Sequence, residues 1–130
     1  MMDTAGGSDL HYAAVENDAA GAELALAHGA DPNAADEQGF TPLHFAAQEG
    51  ATDVARVLLD GGAEVDPVNI FGNTPLFTAV FNYRGDGSMI ELLRKRGADP
   101  LRKNESGQTP LGLARLIANH DVARFFDDLA

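Results

Sequence analysis

The sequence has no cysteine. Disulfides and thiol catalysis are therefore excluded, and the composition suits a reducing compartment, so a cytoplasmic location is expected. There is no run of about 18 apolar residues of the kind that spans a bilayer, so no membrane association is expected. The opening stretch, MMDTAGGSD, is acidic and lacks the apolar segment of a signal peptide. Basic residues are scarce in one half of the chain. Residues 1–69 hold thirteen acids against the single base Arg56, whereas residues 70–130 hold seven acids and eight bases, for a net charge of −11. Such a field repels nucleic acid and anionic membranes. It either steers a cationic partner toward the N-terminal half or serves only to keep the chain in solution.

Motifs for chemistry are missing as well. The four histidines lie far apart, and neither an HExxH motif nor an EF-hand loop occurs, so no metal and no cofactor is expected. Arg84-Gly85-Asp86-Gly87 lacks the lysine and preceding strand of a phosphate loop, and its Arg-Gly-Asp string is too short to carry a reading of its own.

What the chain does contain is a unit, residues 39–69, reading GFTPLHFAAQEGATDVARVLLDGGAEVDPVN. Thr41 caps a helix that Pro42 opens, since proline is tolerated at the first helical position. Leu43, Phe45, Ala46 and Ala47 supply that helix with an apolar stripe, and Gly50 stops it. Residues 53–59 form a second helix with Val54, Val57, Leu58 and Leu59 on one side, ended at Gly61-Gly62. One such helix pair cannot bury its own apolar faces, and the chain repeats it. Thr-Pro-Leu recurs at residues 41, 74 and 109, at intervals of 33 and 35, and a degenerate copy, Ser8-Asp9-Leu10-His11, lies 33 residues before the first. Gly29-Ala30-Asp31, Gly62-Ala63-Glu64 and Gly97-Ala98-Asp99 keep the same phase.

A 33-residue period with TPLH at a helix start and a GAD-type sequence after the second helix resembles the ankyrin repeat, from about residue 7 to about residue 126. The resemblance implies an all-α solenoid of stacked helix-turn-helix units with projecting β-hairpin loops. It divides the chain into repeats at about 7–36, 37–68, 69–103 and 104–130, the first and last acting as caps, with residues 1–6 frayed. The end repeats must offer water a polar face. The third repeat carries a longer turn, residues 82–88, whose two glycines mark it as mobile, and the outer helix of the fourth is expected over residues 121–129, after a turn at Asn119-His120.

The resemblance also assigns roles. His11 and His44 would tie each repeat to the neighbouring turn, rather than act as bases or ligands. Asn33 matches a loop asparagine that some ankyrin proteins have hydroxylated, although a loop-stabilising role is the preferred reading. Loop tips and the exposed side of the inner helices would form a concave surface for a protein partner. Carried over residue by residue, that surface takes in residues 35–38, 40, 69–71, 73, 103–106 and 108 of the loops and Val15, Glu16, Gln48, Glu49, Phe81, Asn82 and Leu116 of the inner helices. Within and beside it the partner is expected to contact Asp36, Glu37, Gln38, Phe40, Gln48, Glu49, Ile70, Phe71, Phe81, Asn82 and Tyr83. Aromatic residues gathered on a groove have the composition of a binding hot spot. The alternative is that Ile70 and Phe71 fold back between loops while Phe81 lies in the core. The function expected is a monomeric, non-catalytic protein–protein interaction module. The alternative is an acidic inhibitor, of the antitoxin or immunity type, that covers a basic enzyme.

Overall fold

The computed structural model describes residues 9–117 and 121–129. The frayed start and the Asn119-His120 turn expected from the sequence lie outside those residues. Seven α-helices are followed by one 3-10 helix: α1 (Asp9–Glu16), α2 (Ala19–Ala27), α3 (Pro42–Glu49), α4 (Thr52–Asp60), α5 (Pro75–Phe81), α6 (Ser88–Lys95), α7 (Pro110–Leu116) and the 3-10 helix Val122–Leu129. The inner helices α1, α3, α5 and α7 each pack on the next, and the outer helices α2, α4 and α6 form a second row behind them.

The spine of the stack is one leucine per inner helix. Leu10, Leu43, Leu76 and Leu111 are all buried at the same place in their motifs. Burying each contributes about 1.5–3 kcal/mol relative to exposure. Between them Ala13, Ala14, Ala46 and Ala47 are small enough to let neighbouring inner helices approach. Val54, Ala55 and Leu58 of α4 and Met89, Ile90, Leu92 and Leu93 of α6 seal the outer row.

Helix starts follow from the threonines. Thr41, Thr74 and Thr109 Oγ1 accept from the backbone N–H of His44, Phe77 and Gly112, so one otherwise unpaired donor per helix is satisfied. Gly50, at φ 69°, ends α3 in the left-handed conformation that glycine adopts without a Cβ penalty.

The projecting loops carry no strand among the described residues. Each is instead a tight turn clamped by its first side chain. Asp36 Oδ1 accepts from the backbone N–H groups of Gln38 and Phe40. Asn69 Oδ1 does the same for Phe71 and Asn73, and Asn104 Oδ1 for Ser106 and Gln108. Adjacent tips then join through single backbone bonds, Ile70 N to Gln38 O and Glu105 N to Phe71 O, each 3.0 Å. This contact leaves no room for side chains at Gly39 and Gly72. A Cβ on Gly39 would lie 2.9 Å from Asn69 Cα, and one on Gly72 2.8 Å from Glu105 N.

Besides the β-hairpins, which these clamped turns replace, three expectations need correction. The last element is a 3-10 helix broken at Phe126, not an α-helix. It is held from outside its own backbone. Val122 and Phe126 are buried, Arg94 Nη1 donates to the Phe125 carbonyl and to Asp128, and the Arg94 guanidinium lies 5.2 Å over the Phe126 ring. The N-terminal face is mixed rather than wholly polar, since Tyr12 and Leu24 stand exposed there beside Asp9, Glu16, Asp18 and His28. The longer third turn is braced: Asp86 Oδ1 accepts from Ser88 N and Oγ, and the Tyr83 ring packs edge-on against Phe125.

Candidate protein-binding groove

The groove exists because the third repeat departs from the pattern of the first two. Where the motif histidine is present it turns inward. His11 Nε2 and His44 Nε2 each lie 2.8 Å from a carbonyl of the next loop, those of Phe40 and Asn73. For His44 the tautomer follows from its other nitrogen. Nδ1 accepts the Thr41 N–H at 3.1 Å, so Nε2 carries the proton and donates. Burial pushes the imidazole below its ordinary range, and the bond to Asn73 opposes this only in part. These histidines bind adjacent repeats together.

In the third repeat that position is Phe77, which has no donor for the next loop. Its ring is half-buried and lines a cavity of about 270 Å³ with Phe40, Phe71, Phe81, Gln48 and Asn82. Phe71 reaches it from a loop tip with 54% of its surface exposed, and Phe81 from the end of α5 with 70% exposed. Neither is folded away, so the alternative that put Phe71 between loops and Phe81 in the core does not hold. Phe40 is half-buried, its ring tilted against those of His44 and Phe45. Four aromatic rings from two loops and one helix therefore share one concavity.

The remaining residues of the surface fall into three groups. Glu49 and Tyr83 line a second cavity of about 230 Å³ that shares Gln48 and Asn82 with the first. Tyr83 is tied toward the C-terminal unit, where its hydroxyl donates to Asp121 at 2.8 Å, and that bond raises the phenol's pKa. Glu37, Gln38 and Ile70 are exposed at loop tips outside both cavities. Asp36 is the clamp of its own turn. Sequence reasoning missed Phe77 as a groove residue. The signal was the change from TPLH to TPLF at residues 74–77.

Two bases at the end of the outer row are committed elsewhere. Arg94 pairs with Asp128 through both nitrogens, and Arg96 with Asp60 at 2.8 Å. Asn33 clamps the next loop with both ends of its amide, accepting from Glu64 N–H and donating to the Gly62 carbonyl. Among the described residues no group of acids and histidines could hold a metal ion, and no helix is long and apolar enough to cross a membrane.

Comparison with curated proteins finds no match. A family model of ankyrin repeats, in three copies, matches residues 10–104. That span contains all of α1 but Asp9, the whole of α2 to α6, both bridging histidines and the aromatic groove, and it is most of the 130-residue chain. The chain belongs to the ankyrin repeat family.

Proposed function

We propose that this protein is a non-catalytic binding module, acting as a cytoplasmic monomer, whose protein partner docks on the groove between the second and third repeats. Ankyrin repeats generally mediate protein–protein interaction, and the family is typically non-catalytic. One observation carries the assignment to this surface: the exposed Phe71 and Phe81 and the half-buried Phe77 line one shared cavity. Burying an exposed phenylalanine in an interface gains about 1.5–3 kcal/mol, which is the scale of a hot-spot residue. The acidic N-terminal half favours a partner with a basic surface. A narrower reading, that the partner is a basic enzyme inhibited by being covered, rests on the same charge and would require the partner's activity to fall on binding.

The test is Phe81→Asp. The side chain is mostly solvent-exposed, so the melting temperature should stay within about 2 °C of wild type, since surface changes are usually within 0.5 kcal/mol. Proteins captured by the wild type should be lost by the variant. Capture that survives Phe81→Asp and Phe71→Asp alike would show that the partner docks elsewhere.

A further inference from the structure

The two cavities along the concave face meet over Gln48 and Asn82, and they differ in chemistry. The first is walled by phenylalanine. The second is lined by Glu49, Asp86 and Arg84. Asp86 is held ionised, because the Ser88 side chain and backbone N–H both bond to its carboxylate and lower its pKa. At the junction each amide spends one of its two N–H donors on this chain. Gln48 Nε2 donates to Glu49 Oε2, and Asn82 Nδ2 donates to the Thr78 carbonyl. Their amide oxygens are left as acceptors, beside two carboxylates. Among the described residues lining this cavity two carboxylates face the one cation, Arg84, so its net charge is negative.

We propose that the groove takes a short protein segment in which one large apolar side chain is followed within a few residues by a lysine or arginine. This inference rests on the protein-binding reading above and specifies its partner. The apolar side chain fills the phenylalanine cavity, whose 270 Å³ is about nine water volumes at ~30 Å³ each, enough for one side chain and too little for a folded element. The cation lies across Gln48 and Asn82 and reaches Glu49. A nucleic acid would also offer flat surfaces to the rings, but stacking platforms for bases work within a cationic groove. Here Glu49 and Asp86 line the adjoining cavity, and the half of the chain leading into the groove has thirteen acids to one base. Phosphates are repelled where an ammonium or guanidinium group is attracted.

Selection of a random displayed peptide library on the full-length protein tests this. Enriched peptides should carry an aromatic or large aliphatic residue with Lys or Arg close by. A synthetic enriched peptide, followed by fluorescence anisotropy, should bind about 30-fold more weakly to Phe81→Ala, the scale of a hot-spot truncation. It should bind about tenfold more weakly to Glu49→Lys, and reselection on that variant should exchange the basic residue for Asp or Glu while keeping the anchor. Both side chains are exposed, and unchanged melting curves will confirm that both variants fold. Peptides that need the anchor but show no basic preference and ignore Glu49→Lys would overturn the inference and leave the groove reading standing. Peptides indifferent to both Phe81→Ala and Phe71→Ala would overturn the groove reading itself. A selection that enriches nothing would also overturn the inference, as would a dimer in sedimentation that Phe81→Ala abolishes.

Discussion

Replacing Asp66 by asparagine should stabilise the protein, because the chain has already solved the same problem with an asparagine one repeat earlier. Asn33 lies four residues after Gly29, as Asp66 does after Gly62. Asn33 Oδ1 accepts from the Glu64 N–H at 2.7 Å while Nδ2 donates to the Gly62 carbonyl at 3.2 Å. Asp66 makes only half of this clamp. Its Oδ2 accepts from the Asp99 N–H at 2.9 Å, but Oδ1 is buried with no hydrogen-bond partner. An ionised carboxylate has no proton to give a carbonyl. Burial accordingly pushes the Asp66 carboxyl above its ordinary 3.8, with the Asp99 charge adding to the rise and Arg102 opposing it. A buried unpaired polar group costs about 1–3 kcal/mol. Since Asp66 is half-buried, the low end applies, and Asp66→Asn should gain about 1 kcal/mol at neutral pH, or roughly 3–5 °C in Tm. Asp66→Ala, which also removes the acceptor for Asp99, should not gain. The gain must depend on pH. A carboxyl with a raised folded pKa takes up its proton more readily folded than unfolded. Wild type therefore recovers stability as pH falls through the folded value, and the recovery is complete below about 3.8. The asparagine variant has no such recovery, so its advantage should shrink toward pH 4. Thermal and urea melts of the three proteins across this range decide the matter. An Asp66→Asn protein no more stable than wild type at pH 7, or one whose gain is the same at pH 4, would refute the half-clamp.

Other outcomes follow from the same contacts. His44→Phe would copy the third repeat into the second, removing one of the two donors to the Asn73 carbonyl, which keeps the Asn69 N–H, and leaving the buried Thr41 N–H without its acceptor, and should cost about 1–3 kcal/mol in urea denaturation. Because burial lowers the His44 pKa, the unfolded chain takes up that proton first, so wild-type stability should fall as pH drops below about 6.5, and the variant should lose this slope. In Gly87→Ala the added Cβ would lie 2.0 Å from Phe125 Cζ, so the ring must swing off Tyr83. The cost, about 1–3 kcal/mol, should appear as faster hydrogen exchange over residues 122–129 with the first two repeats unchanged.

The solenoid was legible because its cause is local and repeated. Thr-Pro-Leu fixes a helix start whatever surrounds it, and Leu10, Leu43, Leu76 and Leu111 come out buried at equivalent places. The turn clamps were also written in the chain, as Asp or Asn five residues before each Thr-Pro, but a β-hairpin was expected where side-chain oxygens satisfy the backbone instead. The last element was not legible. Val122 and Phe126 have helical spacing, yet the segment is drawn into a 3-10 helix by contacts from Arg94 and Tyr83, which lie about 30 to 40 residues away. Exposure of the aromatics could not be read either. Phe71, Phe77 and Phe81 look alike in sequence, and only the stack determines that Phe81 faces water while Phe77 floors the groove.

Phe77 also stands where the first two repeats place a bridging histidine. A histidine at position 77 would face the Gln108 carbonyl, the counterpart of the Phe40 and Asn73 carbonyls that His11 and His44 engage. The chain forgoes this bond and ties its C-terminal unit on by contacts at the periphery: Asn104 Nδ2 to Asn73 Oδ1 at 2.8 Å, Tyr83 to Asp121, and Arg94 to Asp128. If the ring is kept for binding, Phe77→His should trade one property for the other. Stability should rise by about 1 kcal/mol as the new imidazole bonds the Gln108 carbonyl. Affinity for a groove-binding peptide should fall by about tenfold as the apolar floor is lost, the loss expected when a well-packed anchor is removed. A variant that gained stability with no loss of binding would show that Phe77 takes no part in the groove. One that lost both would show that the third repeat cannot accept the histidine geometry of the first two.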